Sequence, residues 1–150
     1  MSQTLVKNLL HVIFSTKNRE PLIRPEIESD LFAYMTGIIN GCDSKLLIVG
    51  GTEDHVHLLV SLSKNWALAT LLENLKRDSS KWIKTCGEQY RDFYWQEGYG
   101  AFSVGESMAP AVKRYIQRQK EHHRRKAFQE EFLSFLRKYD VPYDERYIWT

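Results

Sequence analysis

Two histidines separated by one apolar residue, His55-Val56-His57, lie in the stretch Glu53 to Val60, whose Val and Leu content reads as a strand. Strand side chains alternate between faces, so His55, His57, Leu59 and Ser61 share one side while Val56, Leu58, Val60 and Leu62 form an apolar row on the other. The apolar row is the core side. The imidazoles then stand roughly 7 Å apart at their Cα atoms on the opposite side, close enough to converge on one divalent cation. A solvated or hydrogen-bonded histidine pair fits the same pattern, so a third ligand and a reactive group must come from elsewhere.

Tyr115-Ile116-Gln117-Arg118-Gln119 offers both. Residues four apart on a helix lie on the same side, so Tyr115 and Gln119 point together. A glutamine carbonyl is a modest oxygen ligand, and Gln119 would complete a His55/His57 site while bringing Tyr115 to whatever the metal holds. This set suits phosphodiester cleavage, because a cation on a phosphate oxygen offsets charge growing in the transition state and fixes in-line geometry. Attack by tyrosine conserves the bond energy in a phosphotyrosine, so strands can be rejoined without a nucleotide cofactor. A tyrosine of pKa near 10 is only about a thousandth ionised at neutral pH, and no dedicated base is visible. A half-buried structural tyrosine is the plainer role for Tyr115, and Tyr90, Tyr94 and Tyr99 are rivals. His11 reads as a ring hydrogen-bonded beside a strand neighbour. Spacing alone leaves a metal-assisted phosphodiester enzyme as one reading among several.

The elements that must position these residues follow from periodicity. Leu5 to Ser15 suits a buried strand. Pro25 opens a helix with Ile27, Leu31, Met35 and Ile38 on one side, ended by Gly41. Leu46 to Val49 and the His55 strand form a hairpin around Gly50-Gly51-Thr52-Glu53. Ser63 or Asn65 caps a helix with the stripe Leu68, Leu71, Leu72, Leu75, Trp82 and Ile83. Phe93 to Val104 reads as a bent strand. Ser107 caps a third helix running through Arg125, and Phe128, Phe132, Phe135 and Leu136 mark another. The aromatic tail, with Tyr143, Tyr147 and Trp149, should lie against the body. The order is that of an α+β, ferredoxin-like split βαββαβ antiparallel sheet with helices on one face, plus C-terminal helices. The histidines are then expected on the free face.

At 150 residues the chain suits a single domain, 1–150, and 43% hydrophobic with 27% charged residues marks it as globular. Net charge is only +2, so any nucleic-acid surface must come from how the charges are distributed. Candidate phosphate contacts are Lys76, Arg77 and Lys81 on the second helix and Arg114, Arg118 and Arg124 on the third. The acids Glu130, Glu131, Asp140, Asp144 and Glu145 gather elsewhere. Cys42 and Cys86 are isolated, and neither a secretory leader nor a membrane-spanning run is present, which makes a reduced cytoplasm the expected location.

Four segments together resemble the insertion-sequence-200-like single-strand DNA transposases, one-tyrosine members of the superfamily named for its His-hydrophobic-His motif. They are Asp54 to Val60, Leu75 to Trp82, Trp95 to Val104 and Tyr115 to His123, and Tyr143 to Trp149 is similar to a common ending in the family. The resemblance implies His55, His57 and Gln119 as ligands of Mg²⁺ or Mn²⁺. It implies Tyr115 as the nucleophile that takes a 5′-phosphate and frees a 3′-hydroxyl, hairpins at the element ends as the DNA recognised, and a homodimer. Arg118 stands where many relatives carry Asn. His122 and His123 fall outside the family's ligand set and are read as phosphate or solvent contacts. Two other readings share parts of this pattern: a domesticated relative that processes host repeats, and a non-catalytic module that binds single strands on an open sheet. The histidines on that face argue against the second.

Overall fold

The computed structural model describes residues 2–123 and 126–150. Its strands are β1 (Leu9–Ser15), β2 (Lys45–Gly51), β3 (His55–Ser61) and β4 (Gly100–Val104). Its helices are α1 (Pro25–Gly41), α2 (Leu68–Lys84), α3 (Ala109–Gln117), α4 (Gln119–His122) and α5 (Phe128–Lys138). The strands form one antiparallel sheet in the order β2-β3-β1-β4. This is the α+β, split βαββαβ arrangement expected from the order of elements, and it places the histidine strand β3 inside the sheet.

α1 starts at Pro25, where a missing N–H is harmless, and buries Ile27, Leu31, Met35 and Ile39. α2 buries Leu71, Leu72, Leu75 and Ile83. Both helices lie on Val12, Phe14, Val56, Leu58 and Val60, the apolar row of the sheet. Each such side chain removed from water contributes about 1.5–3 kcal/mol. No side chain caps α2; Ser63 Oγ instead accepts the N–H of Asn65 at 3.1 Å.

The opposite face is not free. α3 sets Ala109 and Ile116 on Leu9 and Leu59, and α5 sets Phe128, Phe132 and Leu136 on Ile13 and Phe102. Leu9, Ile13, Leu59 and Phe102 make this face nearly as apolar as the other, so it too must be covered, and the C-terminal helices roof it. His55 and His57 are accordingly buried, at 0% exposure.

The final strand is shorter than Phe93 to Val104, because Trp95 makes only an isolated bridge to Thr16. The loop before it is pinned on α2. Lys76 Nζ donates to the carbonyls of Gln96 (2.9 Å), Glu97 (3.1 Å) and Gly98 (2.7 Å), and Trp95 Nε1 donates to Ser79 Oγ at 2.9 Å. In the tail, Trp149 lies by Phe132 and under Arg19, whereas Tyr147 is 65% exposed.

Candidate active site

The register of β3 sets His57 opposite Ile13 on β1 and Gly50 on β2. The missing side chain at Gly50 is what lets α3 approach, since a Cβ there would stand 2.3 Å from the carbonyl oxygen of Ile116. α3 therefore comes down beside His57 and carries Tyr115 with it. The ring centroids of Tyr115 and His57 are 5.8 Å apart. Tyr115 and the histidines meet within one chain.

The helix expected to run through Arg125 breaks at Arg118, whose φ of −100° and ψ of 19° end α3. Its N–H is shared between the carbonyls of Arg114 and Tyr115, both at 3.2 Å, so the turn tightens. Beyond the break, α4 turns Gln119 and His123 toward His55. Gln119 Oε1 lies 3.1 Å from His55 Nε2, and the rings of His123 and His55 are 4.3 Å apart.

Glu131 of α5 is the hub. Its side chain is 1% exposed, and Oε1 lies 2.7 Å from His57 Nε2, 3.2 Å from His123 Nε2 and 3.7 Å from His55 Nε2. Oε2 accepts the Tyr115 hydroxyl in a short hydrogen bond and lies 3.3 Å from Gln119 Nε2 and 3.2 Å from His122 Nε2. Neither Glu131 nor His123 was expected here from the sequence. One signal for Glu131 was present: it lies three residues after Phe128 and four before Phe135, an acid inside the apolar stripe of its helix. His123 gave no such signal, because the break at Arg118 alters the helical phase.

A count of protons bears on what the cluster can hold. Asp54 Oδ1 lies 2.6 Å from His55 Nδ1, and a carboxylate can only accept. Where that contact takes the only N–H of the ring, His55 Nε2 meets Gln119 Oε1 acceptor against acceptor, and flipping the Gln119 amide moves the conflict to Glu131 Oε2. Either a second proton on the ring or a cation between these atoms pairs them. His123 Nε2 is likewise buried, and its 3.2 Å approach to Glu131 lacks the alignment of a hydrogen bond. His55, His57, His123 and Glu131 can each place a ligand atom within 4.8 Å of the others. The residues fit a metal ion, and Asp54 and Thr52 orient His55 for it.

His11 lies behind His57, with its Nε2 2.8 Å from His57 Nδ1. With Glu131 accepting at His57 Nε2, His57 Nδ1 accepts and His11 Nε2 donates; for His57 Nε2 to hold a metal the pair would exchange roles, His57 Nδ1 donating to His11.

Burial pushes His57 down to about 4, partly opposed by its hydrogen bond to Glu131. It pushes His11 down to about 3, helped by the adjacent His57. Burial raises the Tyr115 hydroxyl above its ordinary value, and the Glu131 carboxylate reinforces the rise. Burial alone would also raise Glu131, but His123, His57 and Tyr115 around it outweigh that and hold it well below the usual carboxylate range.

A family model described as "Transposase IS200 like" matches residues 4–119. The chain belongs to the IS200-like transposase family. No curated protein matches it by sequence. Several solved structures share its fold, and two of them illustrate the likeness. One, from Deinococcus radiodurans and provisionally assigned as a transposase, is 20% identical with a TM-score of 0.62 and covers 79% of this chain and 98% of its own. The other is a REP-associated tyrosine transposase bound to a REP hairpin, 13% identical with a TM-score of 0.62, covering 82% of this chain and 74% of its own. His55, His57, Tyr115 and Gln119 lie within the range that the family model matches; His123 and Glu131 lie beyond it.

The basic residues divide. Arg114 and Arg118 are exposed and line an open groove of about 450 Å³ on one side of Tyr115, with Glu121 and His122. Lys81 is exposed on α2, and Arg77 is engaged with Asn74 and Asp78. Lys76 has committed its three protons to backbone carbonyls, and burial lowers its ammonium to about 8. Arg124 lies outside the described residues.

Proposed function

We propose that this transposase cuts and rejoins single-stranded DNA through Tyr115, with His55, His57 and Gln119 holding Mg²⁺ or Mn²⁺ and with Glu131 and His123 adding to the ligand set. The observation that carries this reading is the convergence of His55, His57, His123 and Glu131, whose ligand atoms lie within 4.8 Å of one another, beside the Tyr115 hydroxyl. A bound cation would supply charge neutralisation at the scissile phosphate. A set rich in imidazole nitrogen suits Mn²⁺ better than Mg²⁺, which prefers oxygen ligands.

The chain's own residues do the rest. Tyr115 Oη, its proton lost to solvent, attacks phosphorus, the bond from phosphorus to the 3′-oxygen breaks, and that oxygen takes a proton from solvent and leaves as a 3′-hydroxyl while the 5′-phosphate stays on tyrosine. Before attack the hydroxyl donates to Glu131 Oε2, which aims it. With a negative neighbour and a raised pKa, Tyr115 rests as the phenol, and its phenolate fraction grows as pH rises toward that value. Cleavage should therefore accelerate between about pH 6 and about pH 9. Arg114 and Arg118 offer the approaching strand phosphate contacts, and hairpins like that bound by the REP-associated relative are the natural substrate class. The family resemblance implies a dimer; since one chain already joins tyrosine to ligands, a second copy would bring a second site rather than complete this one. We place the activity in the cytoplasm, where the free thiols of Cys42 and Cys86 stay reduced.

The test is to mix the protein with Mn²⁺ and single-stranded hairpin DNAs labelled at either end. The expected result is a detergent-stable adduct carrying the 3′-end label, lost in Tyr115→Phe. An adduct that persists in Tyr115→Phe, or one that carries the 5′-end label, contradicts the proposal.

A further inference from the structure

Tyr115 stands between two unlike spaces. On one side is the open groove with Arg114, Arg118, Glu121 and His122, which suits a sugar-phosphate backbone. On the other is a more apolar pocket of about 340 Å³ between α3 and α5. Rings set nearly at right angles form its inner wall: His11 and Phe135 at 90°, Tyr115 and Phe135 at 76°, and His11 and Tyr115 at 72°. Tyr139, stacked on Phe102, continues the wall outward. Met108, 52% exposed, lies at the edge; Lys138, Lys126 and Glu131 add charged groups, and Ser134 Oγ donates to the Glu130 carbonyl at 3.0 Å and accepts from Lys126 Nζ at 2.8 Å. His11 is 2% exposed and gives its Nε2 to His57, and among the described residues its other ring nitrogen has no hydrogen-bond partner.

We propose that this pocket takes one unpaired nucleobase of the strand being cut, from a nucleotide flanking the phosphate that Tyr115 attacks. The proposal rests on the assignment of Tyr115 as nucleophile. The volume lies at the small end of ligand pockets, suited to a single planar base rather than a larger group. Aromatic walls stack any base, and the second ring nitrogen of His11 can meet its edge. A duplex cannot present such a base, because its bases are paired and stacked. A single strand can do so while its backbone runs through the basic groove on the other side. The base then holds the strand across Tyr115 and fixes the phosphate against the hydroxyl. Ser134, Phe135 and Lys138 come from α5 and Tyr139 caps its C-terminus, all beyond the range that the family model matches.

The first test uses 2-aminopurine deoxyribonucleoside 5′-monophosphate, whose fluorescence is quenched on stacking, and Ser134→Leu, which fills the pocket from α5. Leucine has the higher helix propensity, so the helix is not put at risk. The expected result is quenching by the parent protein and little by Ser134→Leu, with equal Mn²⁺ binding and equal melting by circular dichroism. No quenching by the parent, or equal quenching by the variant, overturns the pocket whether or not the protein cuts DNA. Quenching without any covalent adduct would keep the pocket and sink the nucleophile assignment. The second test removes the base at each nucleotide flanking the scissile bond. One of the two abasic strands should be cut about tenfold more slowly or worse, the scale of one lost stacking contact, and Ser134→Leu should be insensitive to that loss. Equal cutting of intact and abasic strands overturns the proposal.

Discussion

The two faces of β3 are made by alternate residues of one seven-residue strand, and they are buried equally well. Val56, Leu58 and Val60 meet α1 and α2 in an apolar core, whereas His55 and His57, no more exposed, meet α3, α4 and α5 through nitrogen, oxygen and one buried carboxylate. Burial by itself therefore does not separate structure from chemistry here. The atoms presented do: the apolar face offers no ligand, while the histidine face gathers ligand atoms of His55, His57, His123 and Glu131 within 4.8 Å of one another. A buried polar network of this kind is costly unless every member is paired.

Substitutions can break or sharpen this contrast. Leu58→Ala should cost about 2–5 kcal/mol of stability, measured by denaturant unfolding, while leaving Mn²⁺ affinity near the parent's. A large loss of Mn²⁺ affinity with little loss of stability would mean that the faces are not separable. Gly50→Ala should act the other way. Its new Cβ meets backbone of α3 and must displace it, at about 1–3 kcal/mol, and adduct formation should fall more than stability because Tyr115 moves with the helix. Unchanged cleavage would show that α3 is not placed by this contact.

Acid gives a smaller, graded effect. His11 and His57 have folded values of about 3 and about 4, below the unfolded value of about 6.5. Between these limits the unfolded chain binds protons that the folded one refuses, so stability falls as pH falls through the window. Each histidine contributes about 1.4 kcal/mol per pH unit. Glu131 works at lower pH, since its depressed carboxyl lends stability that is lost only as pH falls below the unfolded carboxylate value. Melting curves between about pH 7 and about pH 5 should steepen downward in the parent and flatten by one histidine's share in His11→Gln. An unchanged slope in His11→Gln would remove His11 from the account.

Much of this was legible before the fold was known, and the reasons are specific. The alternation in Val56 to Val60 fixed which side of β3 meets α1 and α2, and the helical spacing of Leu31, Met35, Leu71 and Leu75 fixed what lies against it. The covered state of the histidine face is not legible in any one segment, because Leu9, Ile13, Leu59 and Phe102 become one surface only through the strand order. Tyr115 and Gln119 do meet around Glu131, though across a helix break rather than along one unbroken turn. Two of the segments that carry the family resemblance are joined by Lys76 and Ser79 holding the loop before β4, so Lys76, expected on phosphate, is spent on backbone. Composition groups Glu131 with the acids gathered away from the basic segment; its place in the stripe of α5 is the better guide.

The central claim is that the histidine face holds a cation where the apolar face holds none. A titration of the protein with Mn²⁺ followed by electron paramagnetic resonance tests it directly. A single tight ion per chain is predicted for the parent, and none for a His57→Ala variant that keeps the parent's far-UV spectrum. Tight binding by that variant at the parent's affinity, or no tight ion in the parent, would contradict the account.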